Sequence, residues 1–348
     1  MQFEFTDPQT EFERLIGGSF SINALGTIRA GDGLKFREFV ERSAPPPRTT
    51  VYIDSSGGNV EEAMIIGRII RDCWFSTSIG RYLLNRNEIS DVSHLMTARV
   101  RLPGRCMSAA TLIFLGGRLR YFPQGSEFGV HQFSFKNPSP NDVGQTQLLS
   151  ARIARFMADM GVSPDFLEFS SSVRSDSILI ADEDNLKKLS VVTGGETDTS
   201  WTVQARANMI YVRGERDSLY GHHKVMLGHT RGAGFFFWAV IEAQGREDEL
   251  TTLGLVEIVL NGEEERIDIS NRCERVVSGI YVNVFAKITQ AEAQAIAHST
   301  SFGVQIRFWL DSPTFLGIAA MPTAGGTEQL ETIYDAFSKD ERTLPRTS

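Results

Sequence analysis

Cysteine is scarce in this chain of 348 residues: Cys73, Cys106 and Cys273 stand far apart, and no two form a CxxC pair. That spacing points away from a zinc ribbon and from a disulfide framework. Basic charge is scarce as well. Thirty-five Lys and Arg face 43 Asp and Glu, a formal net charge of −8, and the basic residues do not cluster. A nucleic-acid binder working through phosphate neutralisation needs such a cluster, so that class is set aside. No apolar run approaches the roughly 18 residues of a membrane span. The opening stretch MQFEFTDPQTEFERLIGG carries acids where a secretory signal needs a basic start and an unbroken apolar core. A reducing cytoplasm is therefore the expected setting, without a membrane. Internal repeats and low-complexity tracts are missing too.

What remains is an ordinary globular composition, 41% hydrophobic and 22% charged, and a length comfortable for two domains. Residues 1–17 read as a polar N-terminal strap. From Ser19 the pattern turns rhythmic. SFSINALGTI predicts a strand and AGDGLKFREFVER a helix with Leu34, Phe36, Phe39 and Val40 towards a core. SAPPPRT breaks the chain, since proline cannot continue a helix. TTVYIDS is a short apolar strand, SGG a tight turn, and NVEEAMIIGRIIRDC a second helix. Asn59 stands at its N-cap, with Glu62 three residues on in a capping-box pattern. Val60, Ala63, Met64, Ile66, Gly67 and Ile70 form its apolar stripe. Strand and helix alternate, the signature of an α/β domain.

FSTSIG continues as a strand, and residues 81–103 read as an insertion: a lid, a regulatory arm or a surface loop. GRCMSAATLIFLGG is a small-residue turn running into a short apolar helix. LRYFPQGSEFGVHQFSF gives two strands around a Pro-Gln-Gly turn. QTQLLSARIARFMADMG is amphipathic, with Leu148, Leu149, Ile153, Phe156 and Met160 on one side. Near residue 195 the texture changes. MIYVR, HKVMLG, GFFFWAVIEA, LVEIVL, IYVNVFAKI and VQIRFWL predict strands. Two helices stand among them, TQAEAQAIAH with a Thr289–Glu292 capping box and TEQLETIYDAF. Residues 195–348 are thus expected to form a β-rich sandwich or barrel.

Three stretches can carry chemistry: DSSGGNVEEA (54–63), GRCMSAAT (104–111) and EFGVHQFSF (127–135). Each alone is weak, because a Gly-Gly is usually a turn and a lone histidine is usually structural. Together they fall in one order. A strand ends in the turn Ser55, Ser56, Gly57, Gly58; Ser108 follows among small residues; His131, followed by Gln132, comes 23 residues later. This order resembles the ClpP-like serine peptidases of the ClpP/crotonase superfamily, over roughly residues 18–192. The likeness extends to bacterial ClpP-like proteins with a cysteine just before the serine, as Cys106 stands here. Ser56 departs from the family's usual proline.

The resemblance implies an α/β domain of repeated ββα units over residues 18–194, followed by the β-rich domain. It implies that Ser108 is the nucleophile and His131 its base. A serine is a poor nucleophile until a base takes its proton. Oxyanion donors are implied at the Gly57–Gly58 turn and at Ala109, and the triad acid at Asp176, with Asp182 and Asp184 as nearby competitors. It further implies a peptide or protein substrate and a homo-oligomer, with an ATPase partner left open. No cofactor or metal is called for. The histidines of GHHKVMLGH (His222, His223, His229) lack metal-ligand spacing, and FFFW (235–238) reads as a core strand. A crotonase-like acyl-CoA enzyme and a catalytically inert binding scaffold are the alternatives.

Overall fold

A computed structural model describes residues 1–15, 19–85, 95–133 and 142–338. They form two compact units, Met1–Gly195 and Glu196–Ser348. In the first, β1 (Gln2–Thr6), α1 (Glu11–Leu15), β2 (Ser21–Leu25), α2 (Asp32–Ser43), β3 (Thr50–Asp54), α3 (Val60–Asp72) and β4 (Ser76–Ile79) follow in turn. The insertion contributes β5 (Arg81–Leu84) and β6 (Arg99–Leu102). Then come β7 (Arg105–Met107), α4 (Ala110–Leu115), β8 (Arg120–Tyr121), β9 (Glu127–Val130), α5 (Asp142–Asp159), α6 (Asp165–Ser171), β10 (Leu179–Ile180) and α7 (Glu183–Lys188).

Two sheets organise this unit. One runs β1-β2-β3-β4-β8, parallel except for β1; the other runs β10-β9-β7, with β7 and β9 parallel. The strap is therefore in part the sheet's edge strand. Ile22, Val51, Ile53, Ile66, Ile70, Leu112, Phe114, Phe128 and Phe156 are fully buried in one core, each contributing about 1.5–3 kcal/mol relative to exposure. Leu34 and Leu148, expected inward, point to solvent at 62% and 54% exposure. Both lie one position off the buried stripes set by Phe36, Phe39, Ile153 and Phe156.

α3 begins as its sequence predicts, with the Asn59 side chain accepting from the Glu62 amide at 3.0 Å. The other half of the expected capping box is not made. Glu62 instead accepts from the amides of Gly31 (2.9 Å) and Gly33 (2.7 Å). Gly31 is the N-cap of α2 and has no side chain to satisfy that helix's free N–H groups, so a carboxylate from the next helix does it.

The described part of the insertion is a hairpin, β5 antiparallel to β6. Its residues 86–94, His94 among them, lie outside the described residues. Asn23 of β2 brackets its backbone, donating to the Tyr82 carbonyl at 3.0 Å and accepting from the Tyr82 amide at 2.9 Å. Tyr82 stacks on Tyr52 with ring centroids 5.1 Å apart. Glu13 of α1 closes the far end on Arg99.

The second unit holds β11 (Ser200–Arg206), β12 (Met209–Ser218), β13 (Gly221–Thr230), β14 (Gly234–Glu242), α8 (Glu247–Thr252), β15 (Leu255–Leu260), β16 (Glu265–Asp268), β17 (Cys273–Ser278) and β18 (Tyr281–Lys287). α9 (Gln290–Ala297), β19 (Ser301–Arg307), β20 (Leu316–Pro322) and α10 (Thr327–Ser338) complete it. Its antiparallel sheets run β11-β12-β13-β14-β18-β17 and β16-β15-β19-β20, and one core joins them with α9 and α10. The Thr289–Glu292 capping box is complete. In FFFW, Phe235 and Phe237 face this core while Phe236 packs with Tyr211 and Met226 on the other face. β19 stops at Arg307, and Phe308, Trp309 and Leu310, expected in the strand, are exposed at 68%, 61% and 64%. No helix of the described residues is long and apolar enough to cross a membrane.

Candidate active site

GRCM, read from the sequence as a turn, is a strand. β7 is flanked by β9 on one side and by the end of β3 on the other, where Ser55 and Cys106 form a parallel bridge. The Ser55 amide donates to Arg105 O at 2.7 Å and the Met107 amide to Ser55 O at 3.0 Å. β7 therefore carries the chain up between two strands and releases it at Ser108, from which α4 departs.

Ser108 has φ +53°, the left-handed region that a non-glycine residue enters at a cost of about 1–2 kcal/mol. A serine held on a strained strand-to-helix turn has its hydroxyl lifted clear of both elements. The turn is fastened by the Ser108 amide donating to Gly129 O at 2.8 Å and by the Thr111 amide and hydroxyl donating to Ser108 O at 3.0 and 2.7 Å. Such strain persists only where the surroundings over-determine it.

Gly57 fits against this turn and is shaped by it. It has φ +96°, and a Cβ on it would lie 2.7 Å from Met107 O, 2.9 Å from the Ser108 Cβ and 3.1 Å from the Ala109 nitrogen. Gly57, Ser108 and Ala109 are thus brought together with no room for a side chain between them. The Gly57 amide donates to Ser55 Oγ at 3.1 Å. Gly58 faces the opposite way: a Cβ there would lie 2.2 Å from Ile28 O. The Ile28 amide donates to Gly57 O at 2.9 Å and the Asn59 amide to Ile28 O at 3.1 Å, so Ile28 pins the outer side of the turn. Asp54, one residue upstream, pairs with Arg81 at 2.6 Å and accepts from the Arg105 amide at 3.2 Å. Sequence reasoning assigned no role to Ile28 or Arg81, because their partners lie in distant segments.

His131 arrives on the neighbouring strand. The β7–β9 register pairs Met107 with Gly129, so Ser108 leaves the end of one parallel strand and His131 the end of the next. Adjacent strands lie about 4.8 Å apart, and the carboxyl ends of parallel strands are where α/β sheets place ligands. The ring is half-buried, and its Nδ1 is buried without a hydrogen-bond partner among the described residues.

Asp176 is not on that nitrogen. Its carboxylate takes a two-pronged contact from Arg174, at 3.1 Å from Nε and 2.7 Å from Nη2, and its side chain is 64% exposed. Asp182 is occupied as the N-cap of α7, accepting from the Asn185 amide at 2.9 Å. Asp184 is exposed in the first turn of that helix. The structure therefore joins Ser108, the glycine turn and His131 through their backbones, and leaves Asp176 exposed on Arg174.

Cys106, two residues before the serine, is fully buried, and burial pushes its thiol well above the ordinary cysteine range. It packs as a small hydrophobe, since only the thiolate is a nucleophile. In the second unit, His222 Nδ1 lies 3.1 Å from Asp217 Oδ1 and His229 stacks on Phe337 at 4.2 Å. Among the described residues no group of three His, Cys, Asp or Glu side chains is arranged to hold a metal ion.

No family model matches the sequence, and no curated protein does. Among solved structures, the chain is similar to a single-residue mutant of ClpP1 from Listeria monocytogenes, at 16% identity and a TM-score of 0.37, over 52% of this chain and 92% of that one. It is also similar to ClpP1 from Listeria monocytogenes, at 16% identity and a TM-score of 0.36, over 49% of this chain and 88% of that one.

Proposed function

We propose that the first unit is a serine hydrolase of the peptidase kind. Ser108 attacks a carbonyl carbon, and His131 takes the serine proton and returns it to the leaving group. Asp176 orients the imidazole once it has turned inward. The Ala109 amide and the Gly57–Gly58 turn supply the oxyanion donors. α4 has only six residues, so individual N–H groups rather than a long helix dipole do this work. The observation that carries the reading is the left-handed Ser108 pressed against Gly57, one strand away from His131. A merely structural serine gains nothing from φ +53° and would be relieved by glycine.

The substrate in this reading is a peptide or protein, and the protein works as a homo-oligomer in the cytoplasm. The β-rich unit binds substrate or mediates assembly. The decisive experiment is labelling by a fluorophosphonate probe. Wild type should be labelled and Ser108→Ala should not. Equal labelling of both would remove Ser108 from the chemistry. Labelling of neither, alongside capture of one stable partner, would favour the inert scaffold, for which the outward Asp176 is the specific observation.

A further inference from the structure

The segment that carries Asp176 is anchored on both sides of His131. Leu179 of β10 pairs with Val130, the residue before the histidine. The Gln132 amide, from the residue after it, donates to Val173 O at 2.8 Å. Five residues, 174–178, span the gap between these anchors, and Asp176 is the middle one. A turn within the span, Ser177 amide to Arg174 O at 3.1 Å and Ser177 Oγ to the same oxygen at 3.2 Å, fixes Arg174 close to Asp176. The loop is thus tied to the chain on either side of the histidine, and the carboxylate at its midpoint is held by Arg174. Nδ1 of His131 is buried and has no hydrogen-bond partner among the described residues.

We propose that Arg174 is a positioning residue, which holds Asp176 away from His131 in the resting chain and whose release completes the triad. The proposal rests on the serine hydrolase reading and adds to it the element that regulates the site. Asp176 holds the guanidinium in its own loop, and Nδ1 of the imidazole between the loop's anchors is its proposed second partner. Both ends of the loop are pinned, so the exchange requires only that the midpoint and its side chain swing. Arg174 and Asp176 are 80% and 64% exposed. Exposed ion pairs are weak and screened by salt, so the hold is one that substrate, assembly or ionic strength can undo.

The test compares wild type, Arg174→Gln and Arg174→Gln/Asp176→Asn by fluorophosphonate labelling rate across a sodium chloride series. In parallel, the low-field Nδ1–H proton resonance of His131 reports a carboxylate partner whether or not the serine reacts. Arg174→Gln should label about two- to five-fold faster at low salt, the gain expected from freeing an exposed pair. Wild type should accelerate with salt while Arg174→Gln does not. The low-field resonance should appear in Arg174→Gln and vanish in the double variant. Wild type and Arg174→Gln labelling at one rate, without that resonance, would overturn the positioning role and leave the hydrolase reading standing. The resonance appearing in Arg174→Gln while no protein labels would sink the hydrolase reading and support the positioning role.

Discussion

The pair Glu13–Arg99 clamps the insertion hairpin to α1, and its strength can be worked out. The two side chains are 1% and 5% exposed. Glu13 accepts from Arg99 Nη1 at 2.7 Å and Nη2 at 2.9 Å, and from the Thr97 amide at 2.7 Å and the Gln9 amide. The Arg99 guanidinium, helped by these amides and opposed by burial, pulls the Glu13 carboxyl from 4.5 to about 2. At about 1.4 kcal/mol per pH unit, that depression is worth about 3 kcal/mol. Because the folded-state value lies below the unfolded one, this stability is fully present above about pH 4.5 and is lost as the pH falls towards 2. Glu13→Gln removes the charge and strands Arg99, a change that costs about 3–5 kcal/mol at buried pairs. A chain of two compact units need not unfold in one step, so hydrogen exchange at the Thr97 and Gln9 amides is the apt assay. Protection there should fall by about a hundred-fold in Glu13→Gln at pH 7, and wild type should converge on the variant between pH 4.5 and 2. Protection in wild type that is flat across that window, or a variant protected like wild type, would refute the reasoning.

Gly57→Ala places a methyl 2.7 Å from Met107 O and 2.9 Å from the Ser108 Cβ at φ +96°. Backbone must shift, at a cost of about 1–3 kcal/mol. Probe labelling of Ser108 should drop at least ten-fold while circular dichroism stays native; retained labelling would show that the turn does not shape the site. Asn59→Ala should cost about 1 kcal/mol of stability by thermal unfolding, and Asn59→Asp should recover most of it, since only the accepting oxygen on the Glu62 amide matters.

What could be read in the sequence has its cause nearby. The caps of α3 and α9 sit within one turn of the groups they satisfy. The order Ser108, α4, β8, β9, His131 was legible because it is a short local run. The misreadings have the opposite character. β7 is three residues long and looks like a turn until β3 and β9 flank it. Glu62 carries a capping-box signature, yet its carboxylate serves a helix that begins thirty residues earlier. The hairpin's anchors, Asn23 on Tyr82 and Glu13 on Arg99, join segments 59 and 86 residues apart, and no periodicity announces such a pair.

The site divides along the same line. Where Ser108, Gly57 and His131 stand is decided by backbone: a left-handed turn, a glycine with no space for a Cβ, and a strand register. Those constraints leave a trace in residue type, because only glycine fits at position 57. Asp176 is held by a weak, exposed ion pair within its own loop, and the switch to His131 proposed above would suit the same residue. A sequence can therefore fix where such residues stand while leaving a contact between two of them to a balance of about 1 kcal/mol. A balance that small can be tipped by salt or by a partner. For that reason the disconnection seen here, with His131 Nδ1 lacking a partner among the described residues and Asp176 held by Arg174, does not by itself contradict the proposed triad.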